Sequence, residues 1–183
     1  MYIDLPGMGK TKGENRIINS DIMLDIIIDF TGKIIPNENF LLAGESYGGY
    51  LAREIIYKIP NKVDGLFLLC PSIIIDFNKR DTPSHIILKR HDKLLSQLEP
   101  SDAEGFAFSF NVDNMNEKFN KPTLIILGRQ DSSVGYKDAW SILDKYPRAT
   151  FAVLDRAGHN LQIEQEEVFN PLVNEWIIRS NEL

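Results

Sequence analysis

Ser46 stands in Gly44-Glu45-Ser46-Tyr47-Gly48, a Gly-x-Ser-x-Gly pattern that follows the apolar run Leu41-Leu42-Ala43. A serine hydroxyl is a weak nucleophile. The pattern matters where it forms a sharp strand-to-helix turn, which lifts Oγ above a sheet while the flanking glycines relieve the crowding. In that setting the N–H of Tyr47, at the positive start of a helix, points toward a developing oxyanion. Ser46 is therefore the candidate nucleophile and Tyr47 a candidate oxyanion donor.

A nucleophilic serine needs a base, and the chain holds three histidines. His85 and His91 fall in a helical-looking stretch where packing or surface roles suit them. His159 lies in Asp155-Arg156-Ala157-Gly158-His159-Asn160, just beyond the apolar run Thr150 to Leu154. A parallel sheet gathers the C-terminal ends of its strands on one edge, so this loop and the turn at Ser46 should open on one crevice. The third group should orient the imidazole and stabilise its charged form. Asp131 follows the run Thr123 to Leu127 and is the preferred acid, because the chain order Ser-Asp-His suits a late strand loop. Asp76, after Gly65 to Cys70, is the competitor. Asp155 sits at a strand end, where a structural loop bond is expected.

The elements that must hold these groups can be read from period. Leu41 to Ala43, Gly65 to Cys70, Thr123 to Leu127 and Thr150 to Leu154 read as buried strands, with Tyr2 to Leu5 a shorter one. Ile22, Met23, Ile26, Ile27 and Phe30 recur at helical spacing opposite Asp21, Asp25 and Asp29. Leu51, Ile55 and Ile59 mark a second helix ending at Pro60. Tyr136, Ala139, Trp140 and Leu143 mark a third, and Asn170-Pro171 should cap and begin a last helix through Leu172, Val173, Trp176 and Ile177. Strands alternating with helices give an α/β class, a mostly parallel sheet flanked by helices.

From Asp76 to Asn120 the alternation stops for longer than an ordinary loop allows. An amphipathic helix is expected over Ile87 to Leu98. Phe106, Phe108 and Phe110 then alternate with small or polar residues, which predicts either an edge strand or the apolar face of a lid over the site; the lid is the reading we adopt. The expected organisation is one domain over residues 1–183 with a lid insertion at 76–120.

Composition narrows the function classes. With 183 residues, 43% of them hydrophobic, the chain can build one core. A net charge of −6 argues against nucleic acid or an anionic membrane surface as a main partner, since both need a concentrated basic field. The single Cys70 forms no internal disulfide, and nothing resembles a leader peptide, so a cytoplasmic location is expected. No apolar run is long enough to suggest a membrane span. The opening Asp4-Leu5-Pro6-Gly7-Met8-Gly9-Lys10-Thr11 ends like a phosphate loop, but Asp4 stands where that loop needs its first glycine.

With these motifs in place, the chain resembles the α/β-hydrolase superfamily, in its lidded esterase- and lipase-like branch, over nearly its whole length. The Asp4 to Gly9 stretch fits the D-x-x-G-x-G that ends a strand before the elbow in that family. Lys121 to Val134 (KPTLIILGRQDSSV) is similar to the segment holding the family's acid, and Ala157 to Gln165 (AGHNLQIEQ) to the one holding its histidine. The resemblance implies hydrolysis of a small ester, amide or lactone through an acyl-enzyme at Ser46, with no metal or organic cofactor. Family members usually begin with three further strands, and the loop after the third supplies a second oxyanion donor; nothing in this sequence corresponds to them. The expectation is an N-terminally truncated relative whose elbow strand has an open edge, covered by Tyr2 to Leu5 together with a second copy in a homodimer. A catalytically weak domain that binds a ligand or partner is the alternative, and acyl transfer to another acceptor a third reading.

Overall fold

The computed structural model describes residues 1–13, 17, 19–76, 79–82 and 117–182. Among these, Met1–Asn37 belongs to one compact unit and the residues from Glu38 onward to a second.

In the first unit, α1 (Ser20–Ile34) starts at Asn19, whose side chain accepts the N–H of Ile22 at 3.0 Å. That bond satisfies one of the orphan donors of a helix start. Met23, Leu24 and Ile27 are buried, while Asp21, Asp25 and Asp29 form the exposed face. Phe30, expected on the apolar face, is exposed instead.

Tyr2 to Leu5 is not a strand, which corrects the reading above. Tyr2 and Ile3 are exposed, and the backbone bonds that follow are local: Leu5 O accepts from Met8 N and Met8 O from Thr11 N. Asp4 Oδ2 accepts the N–H of Lys10 at 3.0 Å, so that amide is committed to a carboxylate and not to a phosphate. Gly9, at φ 55°, sits so close to the Asp4 carboxylate that a Cβ would stand 2.5 Å from its Cγ. A four-residue run gains too little from strand pairing to outweigh this turn.

In the second unit, β1 (Phe40–Glu45), β2 (Val63–Leu69), β3 (Thr123–Gly128) and β4 (Ala149–Leu154) form a four-stranded, wholly parallel sheet in the order β1-β2-β3-β4. Every residue of β3 is buried, and so is nearly all of β2, as near-continuous apolar runs require when both faces are covered. β1 ends the sheet among the described strands and alternates between half-buried and exposed residues.

The helices follow the sequence with two corrections. α2 (Tyr47–Lys58) packs Leu51, Ile55 and Ile56 toward β1 and β2. α3 (Tyr136–Trp140) is only five residues long, little more than one turn, and gives way to a 3-10 turn at Leu143–Lys145. Trp140 is 61% exposed, lying edge-on to Phe151 at 5.2 Å, and Tyr146 is the buried aromatic of this segment. After the short α4 (Leu161–Glu164), α5 (Glu166–Ser180) starts five residues before Pro171, which lies inside it and not at its start. An interior proline costs a helix one hydrogen bond. Packing outweighs that cost: Phe169, Leu172, Val173 and Trp176 cover the sheet face formed by Phe67, Leu69, Leu124 and Ile126. Trp176 lies 5.7 Å from Phe67 and donates its indole N–H to Pro122 O at 3.2 Å.

Candidate active site

The sheet register decides which loops meet. Glu45 pairs with Leu69, and Leu69 with Ile126, while Gly128 pairs with Leu154. The ladder then runs one rung past the strands: Ser46 N–H donates to Leu69 O at 3.0 Å, Cys70 N–H to Ile126 O at 2.9 Å and Arg129 N–H to Leu154 O at 2.9 Å. Ser46, Cys70 and Arg129 are thus successive rungs on the C-terminal edge. Asp131 follows two residues after Arg129, and His159 follows β4.

Ser46 occupies a strained turn between β1 and α2, with φ 52° and ψ −115°. For a residue with a Cβ this costs about 1–3 kcal/mol, and it persists because the surroundings over-determine it. Its carbonyl accepts from Gly49 N at 3.0 Å, Tyr50 N at 3.2 Å and Ser72 N at 3.0 Å. The close approaches fall at Gly44 and Gly49: a Cβ on Gly44 would collide with the Gly48 backbone, and one on Gly49 would stand 2.7 Å from Pro71 Cβ. A Cβ on Gly48 would meet nothing. The second glycine of the motif therefore does not relieve crowding; Gly49, one residue further on, does. Tyr47 is the first residue of α2, where a helix carries its positive end, and its ring stacks on Tyr50 at 5.9 Å.

Asp131 Oδ2 lies 2.7 Å from His159 Nδ1. The other carboxylate oxygen accepts the N–H groups of Ser133 at 2.7 Å and Val134 at 3.1 Å. The Asp131 side chain is fully buried and that of His159 is a quarter exposed. Burial by itself pushes the imidazole pKa down. The Asp131 hydrogen bond, the Asp131 charge and the Glu45 charge together outweigh it, so His159 holds its proton above the ordinary histidine range.

Two neighbours were not legible as site residues. Cys70, at φ 41°, places its Sγ with Asp131 and His159 in a cluster whose polar atoms lie within 4.8 Å of one another. Burial first, and then the Asp131 charge, push the Cys70 thiol far up, against a lowering bond from the Gly128 backbone; it stays a neutral thiol. The spacing within the cluster is that of acid–base partners. Ligands about 2.0–2.3 Å from a tetrahedral ion stand well over 3 Å apart, whereas Nδ1 and Oδ2 are at hydrogen-bond distance. Glu45, the variable residue before Ser46, accepts from Gln162 Nε2 at 3.2 Å. Only its adjacency to Ser46 could have drawn attention to it.

Of the other candidates, Asp76 pairs with Lys79 at 3.3 Å. Asp155 accepts from Gln130 Nε2 at 2.8 Å, the loop bond expected of it. His85, His91, the Ile87 to Leu98 segment, Phe106, Phe108 and Phe110 lie outside the described residues. No helix among the described residues is long and apolar enough to cross a membrane.

A parallel sheet whose first described strand ends in a strained serine turn, followed by acid and histidine loops on the same edge, is the architecture of the α/β-hydrolase fold. The solved α/β superfamily hydrolase from Oenococcus oeni PSU-1 superposes with a TM-score of 0.83 at 26% identity, over 98% of this chain and 81% of that one. Among curated proteins, the chain is 24% identical over 201 residues to a Mycoplasma genitalium protein named as an esterase/lipase, spanning 90% of this chain and 75% of that protein. It is 25% identical over 219 residues to the 2-hydroxymuconate semialdehyde hydrolase of Pseudomonas putida, spanning all of this chain and 75% of the other. No protein-family model matches the chain.

Proposed function

We propose that this protein is a serine hydrolase that cleaves a small ester, amide or lactone through an acyl-enzyme at Ser46. The observation that carries this reading is the 2.7 Å contact of Asp131 with His159, made by an acid whose second oxygen is already held by two backbone N–H groups. The hydrolase and esterase/lipase names of the similar proteins support the same class.

In this mechanism Ser46 Oγ adds to the substrate carbonyl carbon while its proton passes to His159 Nε2. Asp131 holds the ring in the tautomer that leaves Nε2 free to accept, and stabilises the imidazolium. Tyr47 N–H, at the head of α2, donates to the oxyanion. Collapse breaks the bond to the leaving group, which takes the proton from His159. Water, deprotonated by the same imidazole, then releases the acyl group and restores Ser46.

The Phe106, Phe108 and Phe110 row is proposed as the apolar face of a lid within residues 76–120. It would favour medium-chain over acetyl esters, since each buried CH2 contributes about 0.8 kcal/mol. Equal turnover of acetate and hexanoate esters would remove the lid from this reading. The deciding experiment is labelling with a fluorophosphonate probe: the wild type should label and Ser46→Ala should not, with loss of p-nitrophenyl ester turnover. Unchanged labelling of the variant would overturn the assignment.

A further inference from the structure

Gln162, three residues after His159, reaches across the edge of the sheet from α4 to the residue that precedes Ser46. Its Nε2 donates to Glu45 Oε1 at 3.2 Å, while its own Oε1 is buried with no partner among the described residues. A carboxylate only accepts, so the amide must present its donor end to Glu45 and leave its acceptor end unmatched. The clasp joins the two loops that the proposed chemistry needs together, the serine turn and the histidine loop.

We propose that Glu45, clasped by Gln162, is a positioning residue for His159, a second carboxylate that supports the imidazolium from the elbow side of the site. This rests on the reading of His159 as the general base. The charged and titratable groups that act on His159 are Asp131 from the loop after β3, Glu45 from the end of β1 and Arg80 from the segment after β2. Cys70 lies beside the ring as a neutral thiol, and Glu164 accepts the N–H of the adjacent Gly158. Arg80 opposes the proton on His159; Glu45 and Asp131 favour it. Asp131 has one oxygen committed to its own loop. Glu45 is exposed, and among the described residues its carboxylate is held by Gln162, so its influence depends on the clasp.

The test is a histidine NMR titration of the full chain at low ionic strength, with His159→Asn used to identify the resonance. Glu45→Gln keeps the size of the side chain and, through its amide, a partner for Gln162, so it isolates the charge. It should lower the His159 midpoint by on the order of a few tenths of a pH unit, a difference that shrinks in concentrated salt. Gln162→Ala should lower it too, by releasing the carboxylate to solvent. The double variant should go no lower than Glu45→Gln, because the two residues act as one unit. An unchanged midpoint in Glu45→Gln, or single shifts that add in the double variant, would overturn the proposal. The readout is a ring resonance and not turnover, so it is judged separately from the Ser46 assignment.

Discussion

Asp131 and His159, from loops that follow different strands, meet at 2.7 Å between Oδ2 and Nδ1, and the remaining oxygen of Asp131 is taken by Ser133 and Val134 N–H. One oxygen of the buried carboxylate shapes its own turn and the other meets the imidazole. This division of labour determines what each substitution at the pair should do.

Asp131→Asn should keep the fold and cost activity by about 10^4-fold in kcat. The amide oxygen can still accept from Ser133 and Val134, which turns the NH2 group toward His159 Nδ1. A donor there makes Nδ1 the acceptor and moves the proton to Nε2, the tautomer that cannot act as a base. Ester hydrolysis and the 15N shifts of His159 check this together; a loss under tenfold would contradict it.

Activity should rise with pH through a midpoint above the ordinary histidine value of about 6.5, because the neutral ring is the base and the native site raises its proton affinity. The pair's contribution to stability has the opposite slope. It is complete below the unfolded value and is lost as pH rises through the native one. Asp131→Asn should remove that slope, as measured by denaturant midpoints across pH 5 to about 9.

Ser46 can be tested apart from its chemistry. Ser46→Ala and Ser46→Gly should both be inactive, yet glycine adopts φ near 52° without steric cost while alanine does not. Ser46→Gly should therefore melt a few degrees above Ser46→Ala, at about 2–4 °C per kcal/mol for a chain of this size. Equal melting temperatures would show that the turn holds no strain.

The glycines around the turn should separate sharply. Gly44→Ala and Gly49→Ala push a methyl into the Gly48 backbone and into Pro71, and each should lose about 1–3 kcal/mol. Gly48→Ala meets open space inside a helix and should be neutral or stabilising by roughly 0.5–1 kcal/mol. Thermal unfolding of the three variants gives the order directly.

What the sequence determined by itself was the local part. β1 to β4 stand where apolar runs bounded by turn residues put them, and in β2 and β3 burial on both faces leaves no choice of side chain. The serine turn is legible for the same reason, being written in adjacent residues. The tertiary structure decided whatever depends on a partner distant in the chain. Asp131, and not Asp76, is the acid that meets His159, because Ser133 and Val134 N–H orient it and the β3–β4 register brings it there. Tyr2 to Leu5 had a strand's composition but found its bonds within its own turn. Pro171 looked like a helix start and lies inside α5, since the packing of Phe169 and Trp176 against Phe67 outweighs one lost hydrogen bond. Glu45 carried no signal of its own, because a charge acts through distance, and its distance from the His159 loop exists only once β1 and β4 are laid in the same sheet.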